Sequence, residues 1–395
     1  MTFLASVGQS QSLDAREAGM QAANQAINKL GTVMPAVCIL IVPHRYDPQQ
    51  VITGVSSILS NVPMIGFSVS SGLTQSGTIS HAVIVALLGG DSLQAETHWF
   101  PSYSQASAET AIRIAQLLGY ELLSNSQRPV EHVLVFADGL NGNADEFCGA
   151  LPGGLSVLGC LSSGDPQSAN SFQIAGGQSG NSGLAAAFLR GNFHLGLGYG
   201  HGWHAIGSHF RVTRSRGFWL RTLDGRPASE TFSQLFGQAT REWAFPPLNY
   251  MSRMYPLGFE QEHSDELLVR APLRVEADGS FRMNSGLRDG SDAYLMVGSP
   301  ADCLKAAREA ARQAVLALGS AKPVFALVLA DVAWQILLQA RPGEEIKAIQ
   351  EVLGKEVAVA GGYSLGQIIP PENINDRAKF LNQHIVVAVF GEKRE

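Results

Sequence analysis

The stretch Val357–Ile368, VAVAGGYSLGQI, contains a G-x-S-x-G pattern, Gly362-Tyr363-Ser364-Leu365-Gly366. A hydrolase nucleophile elbow needs a helix after the serine, because helical amides stabilise the oxyanion. The residues that follow are QIIPPENIN, with Pro370 and Pro371 where helical N–H groups are required. Asp376 and His384 come later in a hydrolase-like order, but His384 opens an apolar, strand-like run. The stretch therefore reads as a buried strand that ends in a tight glycine-serine turn.

Working outward, VFALVLAD (324–331) and the helical GEEIKAIQEVL (343–353) precede it, and HIVVAVF (384–390) closes the segment. The same order occurs in HVLVFAD (132–138), NADEFCGAL (143–151), LSVLGCLSSGD (155–165) and SGLAAAFL (182–189). It occurs first in AVCILIV (36–42), PQQVITGVSSIL (48–59), PMIGFS (63–68) and HAVIVALL (81–88). Strand, helix, strand and return strand, repeated, predict an α/β fold of mixed β-sheets with helices on their outer faces, built from β-α-β-β units. The turns MIGFSVSSG, VLGCLSSGD and VAGGYSLGQ take equivalent places. They lie at strand carboxyl ends, where α/β sheets bind ligands and backbone amides turn outward.

Residues 193–300 depart from this pattern, with strand-like runs such as FRVTRS, GFWLRTLDG, ELLVRAPLRV and DAYLMVG around one helix near 228–240. Further helices are predicted at 14–30, ending at Gly31, and at 301–318, between Ser299-Pro300 and Gly319. No linker rich in proline, serine or charge interrupts the chain, so two closely packed halves are expected.

Composition narrows the function. The 395 residues are 45% apolar and 16% charged, with 42 glycines and a formal net charge of -6, so nothing attracts nucleic acid or anionic lipid globally. Cys38, Cys148, Cys160 and Cys303 show no C-x-x-C spacing and lie in or beside apolar segments, which predicts reduced, packed thiols and a cytoplasmic setting. The amino terminus has no basic start with a long apolar run, and no stretch is apolar enough to span a membrane. No nucleotide or cofactor motif is present.

Several residues could carry chemistry. YGHGWHAIGSH places His201, His204 and His209 close together, a weak metal pattern without a fourth ligand, and Trp203 among them suits a lid or anchor. Strand alternation sets Arg214 and Arg216 on one face, where a guanidinium could clamp a carboxylate. Cys160 could be a thiol nucleophile, but its apolar flank favours an inert thiol.

The ordered series MIGFSVSSGLT, VLVFADGLNGNADEF, VLGCLSSGD, GHGWHAIGSHFRVTRSRGFWLRTLDGRPASETF, YPLGFE, DELLVRAPLRVEADGSFRMNSGLRDGSDAYLMVG, AVAGGYSLGQI and FLNQHIVVAVF resembles the FIST family. The resemblance implies an N-type domain over 1–230 and a C-type domain over 231–395, with no output domain of the kinds often joined to them. It implies a sensory module for a small molecule such as an amino acid, with output through a separate signalling partner or an oligomer. Two departures stand out: Gln367 replaces the family's usual glutamate, and LADVAWQILLQARPGEE lacks its common cysteine and arginine. The expected site therefore comes from loop chemistry. Ser68, Ser162, Ser364 and Gln367 would hydrogen-bond a ligand, Tyr363 and Trp203 would cover it, and Arg214 would pair with its carboxylate. The competing readings are a hydrolase using Ser364 or Cys160 and a protein-interaction scaffold.

Overall fold

The structure is a computed structural model that describes residues 3–90, 93–123, 132–164, 170–261 and 264–392. Asp165, at the end of the second expected turn, lies outside them. The first repeat runs β1 (Leu4–Ser10), α1 (Ala15–Leu30), β2 (Pro35–Pro43), α2 (Pro48–Ser56), β3 (Met64–Val69), a hairpin of β4 (Gly72–Thr74) and β5 (Gly77–Ile79), and β6 (Val83–Gly89). The second follows the same order: β7 (Gln94–Phe100), α3 (Ser107–Leu123), β8 (His132–Asp138), α4 (Ala144–Ala150), β9 (Val157–Ser162), the hairpin β10 (Gln173–Ala175) and β11 (Gln178–Gly180), and β12 (Leu184–Arg190).

The third repeat opens with β13 (Phe193–Gly200) and is then interrupted by a lobe. The lobe comprises β14 (Trp203–Arg216), β15 (Trp219–Leu223), β16 (Arg226–Pro227), α5 (Ala228–Phe236), α6 (Leu248–Met251), β17 (Leu257–Gln261), β18 (Ser264–Arg270), β19 (Pro272–Val275), β20 (Phe281–Met283) and β21 (Asp292–Gly298). The repeat resumes with α7 (Pro300–Leu318), β22 (Lys322–Asp331), α8 (Val332–Leu337), α9 (Glu344–Leu353), β23 (Ala358–Ser364), the hairpin β24 (Gln367–Ile369) and β25 (Lys379–Leu381), and β26 (Ile385–Glu392). The fold is mixed α/β, as the repeated pattern predicts.

Each repeat is longer than the sequence pattern indicates, because a strand and helix open it. The signal is missing at β1 because its helix-facing positions are small rather than apolar. Ser6, Gly8 and Ser10 are buried, and a Cβ at Gly8 would lie 2.1 Å from the Ala22 carbonyl oxygen of α1.

The sheets exchange their edges. Their orders are β1-β6-β2-β3-β10-β11, β25-β24-β9-β8-β12-β7 and β13-β26-β22-β23-β4-β5. Every sheet thus takes four strands from one repeat and a hairpin from another, in a closed cycle. The lobe forms a separate antiparallel sheet with its own core around Phe232, Trp243, Leu257 and Phe281. The two expected parts, 1–230 and 231–395, meet inside α5 and share this lobe sheet.

The apolar runs of β2, β8 and β22 are continuous because both of their faces are covered. Ile39 and Ile41, Leu134 and Phe136, and Leu327 and Leu329 point into one common core, where the Phe67 and Phe136 rings stack at 4.2 Å. The alternate residues Cys38, Leu40 and Val42 pack under α1 and α2. Val133, Val135 and Ala137, with Ala326, Val328 and Ala330, pack under the helices of the other two repeats. Truncating Phe136 to alanine should cost about 3–5 kcal/mol. The parallel pairs β2/β3, β8/β9 and β22/β23 place Gly66, Gly159 and Gly361 at one register, opposite Leu40, Val135 and Val328. A Cβ there would lie 2.6, 1.7 and 1.8 Å from the opposing carbonyl oxygens, so this glycine is required by close approach.

Candidate ligand site at the junction of the repeats

The carboxyl ends of β3, β9 and β23 meet at the centre of the three repeats. The Ser68, Leu161 and Tyr363 amides donate to the carbonyls of Phe172, Gly366 and Ser71 at 3.0, 2.9 and 3.1 Å, one bond from each repeat to another. Further bonds run from Ser163 N to Ser68 O (3.0 Å) and from Leu365 N to Leu161 O (2.9 Å), tying the second repeat to the other two. The Ser163 hydroxyl adds a bond to Tyr363 O at 2.7 Å.

The register sets Ser68 apart from Ser162 and Ser364. Ser162 lies opposite Asp138 and Ser364 opposite Asp331, whereas the first repeat has Val69 opposite Pro43. Ser68 matches Leu161 and Tyr363 instead. Its hydroxyl is fully used, donating to Ser163 O at 2.7 Å and accepting from Phe172 N at 3.0 Å. Tyr363 also turns away from the junction. Its buried hydroxyl bonds Thr78 at 2.9 Å and donates to Glu345, whose carboxyl burial holds above the usual range.

The remaining polar groups are buried side chains with unfilled capacity. Asn284 and Asn382 both donate through Nδ2 to the Leu365 carbonyl, at 2.8 and 3.3 Å. Gln367 Nε2 donates to Ser364 Oγ at 3.1 Å, and Gln383 Nε2 to Arg253 O at 3.0 Å. The carbonyl partners set the amides of Asn284, Asn382 and Gln383, and with Gln367 donating to Ser364 the oxygens Asn284 Oδ1, Asn382 Oδ1, Gln367 Oε1 and Gln383 Oε1 have no protein partner. The hydroxyls of Ser162 and Ser285 are unpartnered as well. An unsatisfied buried acceptor costs about 1–3 kcal/mol.

Charge stands behind this surface. Asp331 caps α8 through Ala333 N at 3.0 Å and accepts Gln383 N at 3.1 Å. Burial raises its pKa, and nearby Arg253 opposes that rise. Arg270, 4% exposed, donates to Phe380 O at 3.2 Å and to Asp145 at 2.9 Å. Asp138 accepts from Leu140 N, Ser171 Oγ and Asn141 Nδ2.

The other expected residues lie elsewhere. Arg214 is exposed on β14, paired in register with Thr222 of the lobe, and Arg216 is exposed beside it. Trp203 is buried, donates to Met254 O at 3.4 Å and lines a cleft beside the lobe. His201 and His204 line that cleft too, whereas His209 lies beyond an irregularity in β14, its ring 6.0 Å from Tyr294. The three histidines do not converge, and among the described residues no group of three or more His, Cys, Asp or Glu could hold a metal ion.

The nucleophile candidates sit in unsuitable surroundings. Ser364 is fully buried, and its hydroxyl lies 3.3 Å from Ala330 O and from Gly366 O. With Gln367, none of these partners is a base, and the strand β24 follows where an elbow needs a helix. The cysteines are free and buried, and burial pushes the Cys160 thiol well up. Among the described residues no helix is long and apolar enough to cross a membrane.

Sequence reasoning missed Asn284, Ser285, Asn382, Gln383, Arg253 and Arg270. The clue was the clustering of neutral polar residues in MNSG (283–286) and LNQH (381–384), each beside an apolar strand.

Comparison with known proteins fits this architecture. The model of the FIST N domain matches residues 36–226, and that of the FIST C domain matches 228–370. FIST domains are sensory domains in signal transduction. A search of curated proteins finds no match. Among solved structures, the chain is similar to a chorismatase at 10% identity and a TM-score of 0.39, covering 99% of this chain and 98% of that one. It is also similar to cyanuric acid hydrolase from A. caulinodans at 9% identity and a TM-score of 0.36, over 100% of both chains.

Proposed function

Because the chain belongs to the FIST family, we propose that it is a cytoplasmic sensor that holds a small polar molecule, such as an amino acid, at the junction of its repeats. The observation that carries this reading is the set of four buried amide oxygens, on Asn284, Gln367, Asn382 and Gln383, that no protein group satisfies. They accept hydrogen bonds only, so they select a ligand part rich in donors, with ammonium as the best match. The Ser162 and Ser285 hydroxyls serve either as donors or as acceptors. Ser364 acts through Gln367, whose amide it holds. Output passes to a separate signalling protein.

Calorimetry against a panel of amino acids, amines and polyols tests the reading. A ligand at a hundred times its dissociation constant should stabilise the fold by about 2.7 kcal/mol. Asn284→Ala should weaken the best ligand by about tenfold, the loss of one charge-assisted bond. A panel without any binder, or equal affinity in folded Asn284→Ala, would reject the junction as the site. A binder that instead modifies Ser364 or Cys160 covalently would favour a hydrolase.

A further inference from the structure

A cleft of about 860 Å³ opens on the other side of the 382–384 segment, between the first turns of α7 and the lobe. His201 and His384 lie in its floor, with ring centroids 4.7 Å apart and an edge-to-face angle of 74°. Their backbone partners fix opposite tautomers. His201 Nδ1 accepts the Trp203 amide at 3.2 Å, so its ring proton is on Nε2. His384 Nδ1 lies 2.6 Å from the Asn382 carbonyl, which only accepts, so that ring carries its proton on Nδ1 and a bare lone pair on Nε2.

His384 is 7% exposed, and only its Nδ1 edge is bonded to the protein. Its Nε2 has no hydrogen-bond partner among the described residues, and the ring lines the cleft. Both rings are neutral near pH 7, because burial, and then neighbouring His201, lowers His384 to about 3. Burial, and then His204, lowers His201 to about 4. The floor therefore presents one N–H and one lone pair side by side. The walls are acidic: Glu266, Asp302, Glu309 and Glu372 line them together with Lys305. Lys379 partly offsets Glu372 at 3.0 Å, and Arg312 partly offsets Glu309 at 3.5 Å.

We infer that this cleft is a second binding site, separate from the junction, for small organic cations in which an ammonium group stands next to a neutral hydrogen-bond acceptor. The ammonium donates to His384 Nε2 and faces the acidic wall, where Asp302 also accepts from Ser299 Oγ at 2.5 Å and lies 3.7 Å from His204 Nε2. The neighbouring hydroxyl or carbonyl accepts from His201 Nε2–H. A free carboxylate in that second position is disfavoured by the acidic walls, so amino alcohols and amino amides bind in preference to amino acids.

The test is imidazole nitrogen NMR on full-length protein labelled with ¹⁵N-histidine, titrated with ethanolamine, glycine and acetamide near neutral pH. The free protein should show opposite tautomers at His201 and His384. Ethanolamine should shift both Nε2 signals saturably, while glycine and acetamide should not. Glu266 is exposed, so Glu266→Gln should fold normally and weaken ethanolamine binding by about threefold, as expected for an exposed charge pair. Asn284→Ala should leave that binding unchanged, which separates this site from the junction. Identical tautomers, no saturable shift in the folded protein, glycine binding as well as ethanolamine, or insensitivity to Glu266→Gln would each overturn the inference.

Discussion

The three repeats share a backbone but differ in what they place at the junction. Repeats two and three end their paired parallel strands in an aspartate opposite a serine, Asp138 with Ser162 and Asp331 with Ser364, whereas repeat one has Pro43 with Val69. Backbone repetition supplies three equivalent points, and side chains make them unequal. The polar chemistry falls on two of the three, on the side where Asn284 of the lobe and Asn382 meet at Leu365. Symmetry supplies the positions, and asymmetry sets their chemistry.

The largest effect is expected at the shared glycine. Gly361→Val should destabilise the protein by about 3 kcal/mol or more, because the new side chain has no space beside a strand carbonyl. Gly66→Ala, where the approach is 2.6 Å rather than 1.8 Å, should cost less. Denaturant unfolding of both variants measures the difference. A gentler contrast lies in the aspartates. Asp331→Ala orphans two backbone amides and should cost about 3 kcal/mol, Asp138→Ala about 2, and Pro43→Ala under 1. Equal losses in all three repeats would contradict the assigned asymmetry.

Acid separates the junction from the cleft. The folded-state pKa values of His201 and His384 lie below the ordinary 6.5, so the stability they contribute is complete above 6.5. It is lost as pH falls toward about 4 for His201 and about 3 for His384. Each contributes a slope of about 1.4 kcal/mol per pH unit inside its window. The raised carboxyls of Asp331 and Glu345 act in the opposite direction, since the native state holds their protons more tightly. Melting temperature against pH should therefore fall below 6.5, and His384→Gln should flatten that fall. The smallest effect is expected at Arg214, where alanine should change stability by less than about 0.5 kcal/mol and leave ligand affinity unchanged.

Much of the architecture was legible in the residues. Runs such as HVLVFAD and VFALVLAD are apolar throughout because both faces of their strands are covered, and the caps of α7 marked its ends. The hairpins β4–β5, β10–β11 and β24–β25 were not legible, because three-residue strands carry no periodicity. Without them neither the sheet order nor the register of Ser68 could be derived, and a one-residue difference moves a side chain to the other face. Ser162, Ser364 and Gln367 did reach the junction. Arg214 did not, since alternation orients a side chain within its own strand but says nothing about where the strand lies. Neutral amides gave the weakest signal of all: Asn284 and Gln383 look like loop residues until their burial is seen.

The cyclic exchange of hairpins has a consequence for how the chain is made. Strand β9 finds its outer neighbour only in β24, and β23 finds its own in β4. The second sheet therefore stays open at one edge until the carboxyl-terminal repeat has left the ribosome, and the first repeat carries a hairpin whose place does not yet exist. No part of the core is a free-standing module. Cutting it between repeats leaves unpaired strand edges on both pieces, the kind of edge that recruits other chains. The molecule closes like a ring of three links, each holding an edge strand of the next.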